Sequence, residues 1–281
     1  KVQKRPDYAS KNGLALGYVN PSNSWFKGKC VGKSLKCDSF PTVAEFKESL
    51  RVVFGRYPRK PNTPHIFLVG DSTGNQISVP VALSLIGTHT FSNLYAYSTI
   101  QIMLFGRGAP LINGINLERN VTLINALFDT VGEMMTSKDD ILVLAFRQTH
   151  KILSQNDQEV LITARQRIFS NAKIFLFDTP GDLPRAGYEY LLPKNQDKLG
   201  ARQETLDEGE RKVYFDAFES FANSDSNTYF FKISQLFCQN EYCGPWIPGT
   251  QTLAFWDEYH LTQAASYYLW PFFCDLFATV I

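Results

Sequence analysis

Four short apolar runs govern what this chain can fold into: HIFLV (residues 65–69), DILVLAF (140–146), KIFLFDT (173–179) and TYFFKI (228–233). Each has strand length, and each is separated from the next by sequence of helical period. A run that is apolar at consecutive positions must be covered on both faces, which a parallel sheet between two helical layers provides. A further run, LYAYSTI (94–100), reads as another strand after the first. The expected helices are SVPVALSLI (78–86) and the segments 117–135, 156–169 and 204–222. A terminal helix, TQAASYYLWPFF, is expected to kink near Pro271. The expected fold class is α/β, a three-layer αβα sandwich around a central, mostly parallel sheet.

Residues 1–41 show no sustained period and read as an N-terminal extension packed on a main domain of residues 42–281. That domain opens with TVAEFKESLRVVF, where Thr42 and Glu45 form a capping-box pattern and Phe46, Leu50 and Phe54 share a helical face. A polar stretch at 183–203 reads as an insertion near the C-terminal edge of the sheet, where open α/β sheets bind ligands.

The 28 basic and 27 acidic residues nearly cancel, which argues against a nucleic-acid partner. The local runs KVQKRP and GRYPRKP read as solvated loops. No apolar stretch reaches the ~20 residues that span a bilayer. The closest, YYLWPFFCDLFATVI, holds Pro271 and Asp275 and reads as a docked terminal helix. Beginning at Lys1, the chain reads as a piece of a longer protein. Cys30 and Cys37, seven positions apart, and Cys238 and Cys243, five apart, read most economically as two local disulfides, with Cys274 as a buried thiol and the connectivity left open. Two local disulfides imply an oxidising compartment. Neither pair has zinc-ligand spacing and neither lies beside a His, so no metal site is expected.

The chemistry centres on GDSTGNQ (70–76), which follows the first strand. Asp, Ser and Gly there suit ordinary turn and cap chemistry, but Ser72 could also be a nucleophile if a base removes its proton. Four histidines exist. His65 and His89 fall toward the wrong end of the sheet, His150 is a second candidate, and His260 lies in FWDEYHLT before the last helix. Asp257, three residues earlier, can hold the His260 ring and fix its tautomer. A D-x-x-H pair alone is weak, since Asp257 could cap a helix and His260 could be packed polar surface. Trp246, Trp256, Tyr188 and Tyr190 could offer sugar-stacking surfaces or simply pack in core and loops.

GDST near the start and DEYHLT near the end together resemble the first and fifth blocks of the SGNH hydrolases. LFCQNEYCGPW followed by LAFWDEYHLTQAA, with the upstream Cys30 and Cys37, is similar to the SGNH domains fused to bacterial acyltransferase-3 membrane proteins, including O-antigen O-acetyltransferases. The resemblance implies a flavodoxin-like SGNH sandwich with Ser72 as nucleophile, Asp257 and His260 as its support, and the Ser72 backbone N–H in an oxyanion hole. The family's Gly-x-Asn is missing after DILVLAF, where the chain reads FRQTH; Arg147, Gln148, Asn113 or Ser98 could supply the other donors. It also implies an acetyl group delivered, ultimately from acetyl-CoA, through a membrane acyltransferase-3 domain in the same full-length chain. No cofactor is expected in this domain. Acetyl would pass to a polysaccharide acceptor such as O-antigen, in the periplasm at the inner membrane. Two alternatives are a carbohydrate or small-ester acetylesterase and a degenerate domain that binds glycan without turning it over.

Overall fold

The apolar runs become the strands of one sheet because each supplies side chains to both of its faces. A computed structural model describes residues 16–18, 30–31, 36–37, 43–44, 47, 66–70, 72–86, 100–104, 121–135, 138–145, 162, 165–168, 172–178, 183–195, 200–202, 210–239 and 241–280. Along the chain the described strands are β1 (Leu16–Tyr18), β2 (Cys30–Val31), β3 (Lys36–Cys37), β4 (Ile66–Gly70), β5 (Ile100–Leu104) and β6 (Ile141–Ala145). They continue as β7 (Lys173–Phe177), β8 (Ala201–Arg202), β9 (Thr228–Phe231), β10 (Cys238–Gln239) and β11 (Tyr242–Cys243). The described α-helices are α1 (Ser72–Ile86), α2 (Val121–Met134), α3 (Glu210–Ser224), α4 (Gln263–Tyr268) and α5 (Trp270–Val280).

The central sheet has six strands in the order β1-β5-β4-β6-β7-β9. All its pairings are parallel. Alternation within each strand divides the core in two. Ile66, Leu68, Ile141, Val143, Phe175 and Phe177 face one side and meet Ile77 and Val81 of α1 with Phe273 and Phe277 of α5. Phe67, Val69, Leu142, Leu144, Ile174 and Leu176 face the other and meet Leu127 and Val131 of α2 with Phe218 of α3. Every one of these positions is buried, so the fold is the α/β sandwich with helices on both faces that the apolar runs required.

Three details go beyond the sequence expectation. Firstly, of the expected strand 94–100 only Ile100 lies among the described residues, where it opens β5, Ile100–Leu104. Ile100 lies opposite Ile66 and Leu104 opposite Gly70, which places IQIML along the whole of β4. Secondly, α1 begins at Ser72, six residues before the expected start, so the GDST turn runs straight into helix. Thirdly, β1, from within the expected extension, pairs in parallel with β5 and completes the sheet on that edge.

The terminal helix breaks at Leu269, between α4 and α5, and Pro271 takes the second position of α5, where a missing N–H costs nothing. Of the expected helix 156–169, residues 162 and 165–168 are described; 162 and 165–167 are helical and Ile168 is a bend. The described residues of the expected insertion 183–203 include two 3-10 turns, Gly187–Leu191 and Pro193–Asn195. Tyr190, fully buried, anchors it to the core. Asn195 ties the two turns, donating to Glu189 O at 3.0 Å and accepting from Arg185 Nη1 at 3.0 Å.

Candidate active site

The sheet order reverses at β4: the chain goes to β5 on one side and returns to β6 on the other. Outside the C-terminal ends of the strands, such a reversal leaves a crevice that both crossovers avoid. Ser72 is the first residue of α1, two positions beyond Gly70 at the end of β4, and therefore stands at that crevice. A residue opening a helix also carries one of the N–H groups that no helical carbonyl can satisfy.

The Asp257–His260 pair is built by a tight loop. Phe255 and Leu261 form an antiparallel bridge, and the Trp256 N–H donates to His260 O at 2.7 Å. The chain between them turns around the Asp257 carboxylate. Asp257 Oδ1 accepts from the N–H of Tyr259 (3.0 Å) and of His260 (2.6 Å), and Oδ2 lies 2.5 Å from His260 Nδ1. Partial burial pushes the Asp257 carboxyl up, but the imidazole and the two backbone N–H groups outweigh it and hold the pKa below the ordinary range. A carboxylate kept charged in this way fixes the proton of the neutral ring on Nδ1 and leaves the basic lone pair on Nε2. Thr262 closes the loop, donating to Leu253 O at 2.7 Å and capping α4 through the Ala265 N–H.

What joins this loop to α1 is Gln76. Its Oε1 accepts a 3.0 Å hydrogen bond from the Leu261 N–H, next to His260. Gln76 lies four residues beyond Ser72, one turn along α1. Packing of α4 and α5 against α1 brings the C-terminal helices alongside the helix that Ser72 opens. Nothing in the sequence marks Gln76 for this part except its four-residue spacing from Ser72.

A second support lies across the loop's back. Leu183 N–H donates to Glu258 O (2.7 Å), Gly187 N–H to Asp257 O (3.1 Å) and Tyr188 N–H to Trp256 O (3.2 Å). The approach is so close that a Cβ on Gly187 would sit 1.8 Å from Phe255 O, which is why glycine occupies that position. Of the four aromatic candidates, Tyr190 is core and Trp246 packs partly buried against it, whereas Tyr188 and Trp256 are exposed.

Asp257 and His260 thus meet as the sequence spacing indicated, and Ser72 opens the helix to which their loop is fastened. Ser98, Asn113, Arg147 and Gln148 lie outside the described residues, as do His65, His89 and His150. A disulfide joins Cys238 to Cys243, and Cys274 is a free, half-buried thiol. Cys30 lies directly opposite Cys37 across β2 and β3. Among the described residues no group of three or more His, Cys, Asp or Glu converges as a metal-ligand set, and no helix is long and apolar enough to cross a membrane.

Fold and site together define an α/β domain that carries an Asp–His pair at the switch point of a parallel sheet. The chain belongs to the family of SGNH domains fused to AT3 domains, which matches residues 37–274. Among solved structures it is similar to the Salmonella ser. Paratyphi A lipopolysaccharide acetyltransferase periplasmic domain, with 12% identity and a TM-score of 0.48 over 85% of this chain and 90% of that one. No curated protein sequence matches. Family membership supports acyltransferase-type chemistry and an AT3 domain as partner.

Proposed function

We propose that this domain is an O-acetyltransferase that takes an acetyl group onto Ser72 and passes it to a sugar hydroxyl of a cell-surface polysaccharide such as O-antigen. The observation that carries this reading is the charged Asp257 on His260 Nδ1, on a loop that Gln76 ties to the helix Ser72 opens.

In the first half-reaction His260 Nε2 takes the Ser72 proton as Oγ bonds to the acetyl carbonyl carbon. The donor's leaving group then departs with that proton. In the second, a sugar hydroxyl gives its proton to His260 and its oxygen bonds to the acetyl carbon. Ser72 Oγ leaves and recovers the proton, so the enzyme returns to its starting state. Asp257 stays ionised throughout and stabilises the imidazolium in both halves. The Ser72 N–H serves the oxyanion, with Ser98, Arg147, Gln148 or Asn113 as the further donor; each such donor is worth about 3 kcal/mol in the transition state.

Acetyl, ultimately from acetyl-CoA, reaches Ser72 through the AT3 domain, and family membership supports this route. With that division the domain works on the periplasmic side of the inner membrane, a reading that the Cys238–Cys243 disulfide supports. The test is acetate release from p-nitrophenyl acetate, with and without a polysaccharide acceptor, by the parent domain and by Ser72→Ala and His260→Ala. Loss of release in both variants, with acetyl recovered on the glycan, is the expected result. Release unaffected by Ser72→Ala would sink the nucleophile assignment. Release with no acetyl on any glycan would make the domain an esterase.

A further inference from the structure

The geometry points to an acceptor-sugar platform formed by Trp256 and Tyr188 beside His260, an inference that rests on the glycan-acceptor reading above. Opposed residues of an antiparallel pair share one side of the ribbon, and successive pairs alternate sides. Phe255 and Leu261 form one such pair and both are buried, at 1% and 7% exposure. The next pair toward the loop tip is Trp256 with His260, joined by the 2.7 Å hydrogen bond from Trp256 N–H to His260 O. Alternation therefore turns Trp256 and His260 outward together, with Cβ atoms about 5 Å apart. Their exposures agree: Trp256 is 64% exposed and the His260 side chain 30%.

Tyr188 adds a second ring. Its N–H donates to Trp256 O, its ring centroid lies 6.4 Å from that of Trp256 with the planes 53° apart, and it is 49% exposed. A single exposed aromatic residue is unremarkable. Here two stand together on backbone fixed by hydrogen bonds to the catalytic loop and by the Gly187–Phe255 approach, so the surface is set before any ligand arrives.

The chemistry fits a saccharide. The C–H face of a pyranose lies on an aromatic ring while its hydroxyls project from the rim, so a sugar stacked on Trp256 presents a rim hydroxyl toward His260. Rings inclined at 53° suit successive units of a bent glycan chain and cannot sandwich one flat ligand. Glu189 and Glu258, next to Tyr188 and near Trp256 in the two loops, offer carboxylates to sugar hydroxyls and repel an anionic lipid surface.

The experiment titrates the folded domain with a panel of methyl pyranosides (hexoses, 6-deoxyhexoses and N-acetylhexosamines), following tryptophan fluorescence and saturation transfer from protein to sugar C–H protons. Saturable binding is expected, weakened by about tenfold or more in Trp256→Ala, less in Tyr188→Ala, and largely restored in Trp256→Phe. Trp270→Ala, on the exposed surface of α5, should bind as the parent does. Melting curves of all variants separate lost binding from lost folding. Absence of saturable binding across the panel overturns the platform. So does binding that Trp256→Ala leaves intact, including the case where that variant instead loses affinity for phosphatidylglycerol vesicles. Hydrolysis of p-nitrophenyl acetate by the parent separates the two readings. Sugar binding without Ser72-dependent hydrolysis sinks the acetyl chemistry alone, and hydrolysis without sugar binding sinks the platform alone.

Discussion

Gln76 Oε1 accepts the Leu261 N–H at 3.0 Å across 185 residues of sequence, and this one bond fastens the Asp257–His260 loop to the helix that begins at Ser72. Removing the acceptor leaves a half-buried N–H unsatisfied, a cost of about 1–3 kcal/mol. It also frees the loop to shift, and displacement by about 1 Å can cost a hundredfold in rate. Gln76→Ala should therefore lower kcat for p-nitrophenyl acetate far more than it raises KM. Gln76→Glu keeps an acceptor oxygen and should recover most of the loss. Equal melting temperatures for all three proteins, with kcat unchanged, would show that the bond positions nothing.

The carboxylate of Asp257 is tested by replacing it with an amide of the same shape. Asp257→Asn presents either an oxygen or an NH2 to Nδ1 and no longer stabilises the imidazolium, so kcat should fall by about four orders of magnitude at neutral pH. The same residue makes a pH-dependent contribution to stability. Its folded pKa lies below the ordinary value of 3.8, so the stabilisation is present above that value and is lost as pH falls through the lower, folded one. Urea denaturation should show the parent more stable than Asp257→Asn at about pH 7, with the gap closing below about pH 4. A gap that stays constant into acid would refute the assignment of the lowered pKa to these hydrogen bonds.

Legibility in the sequence followed the range of the interaction. Ile66–Val69, Ile141–Ala145 and Ile174–Phe177 were readable because strand positions buried on both faces are apolar in succession, and Thr228–Phe231, at the sheet edge and partly buried, was readable from its run of aromatic residues. Asp257 and His260 were readable because their contact closes within three residues. Ile100–Leu104 went unread beyond Ile100 because its place is set by residue-for-residue pairing with β4 rather than by a local signal. The start of α1 was missed because Thr73, Gly74, Asn75 and Gln76 include poor helix formers that read as turn. Apart from the four-residue spacing of Gln76 from Ser72, Gln76 and Gly187 gave no local signal. One acts through a hydrogen bond to the far end of the chain, and the other through the space that its missing side chain leaves for Phe255.

Gly187 offers a steric test of the second support. The Cβ of Gly187→Ala would meet Phe255 O at 1.8 Å, a backbone atom that cannot swing aside. Either the 183–188 segment or the catalytic loop must move, at a cost of about 1–3 kcal/mol, the range for overpacked sites. Because Phe255 directly precedes Trp256 and Asp257, the displacement should reduce kcat as well as the melting temperature. A Gly187→Ala protein with the parent's melting temperature would mean that the two segments are not in contact in solution.

The Cys238–Cys243 disulfide closes the β10–β11 hairpin, whose second strand also pairs with β8. Just beyond it, Pro245 O accepts the Ala254 N–H at 2.7 Å, so the hairpin bears on the strand leading into the catalytic loop. With the two cysteines separated by five positions in sequence, the chain-entropy relation gives a contribution of about 2 kcal/mol. The hairpin's turn holds Glu241 at φ 70°, a left-handed conformation that disfavours a side chain. Replacing both cysteines by Ser should lower stability by about 2 kcal/mol. Adding Glu241→Gly should return part of that, up to about 1 kcal/mol, because glycine adopts the turn without its steric penalty. Urea denaturation of the parent, the double Ser variant and the triple variant measures both steps. In the presence of a reducing agent the parent's curve should coincide with that of the double variant in the same buffer; a parent curve that reduction does not move would show that the disulfide adds nothing to the hairpin.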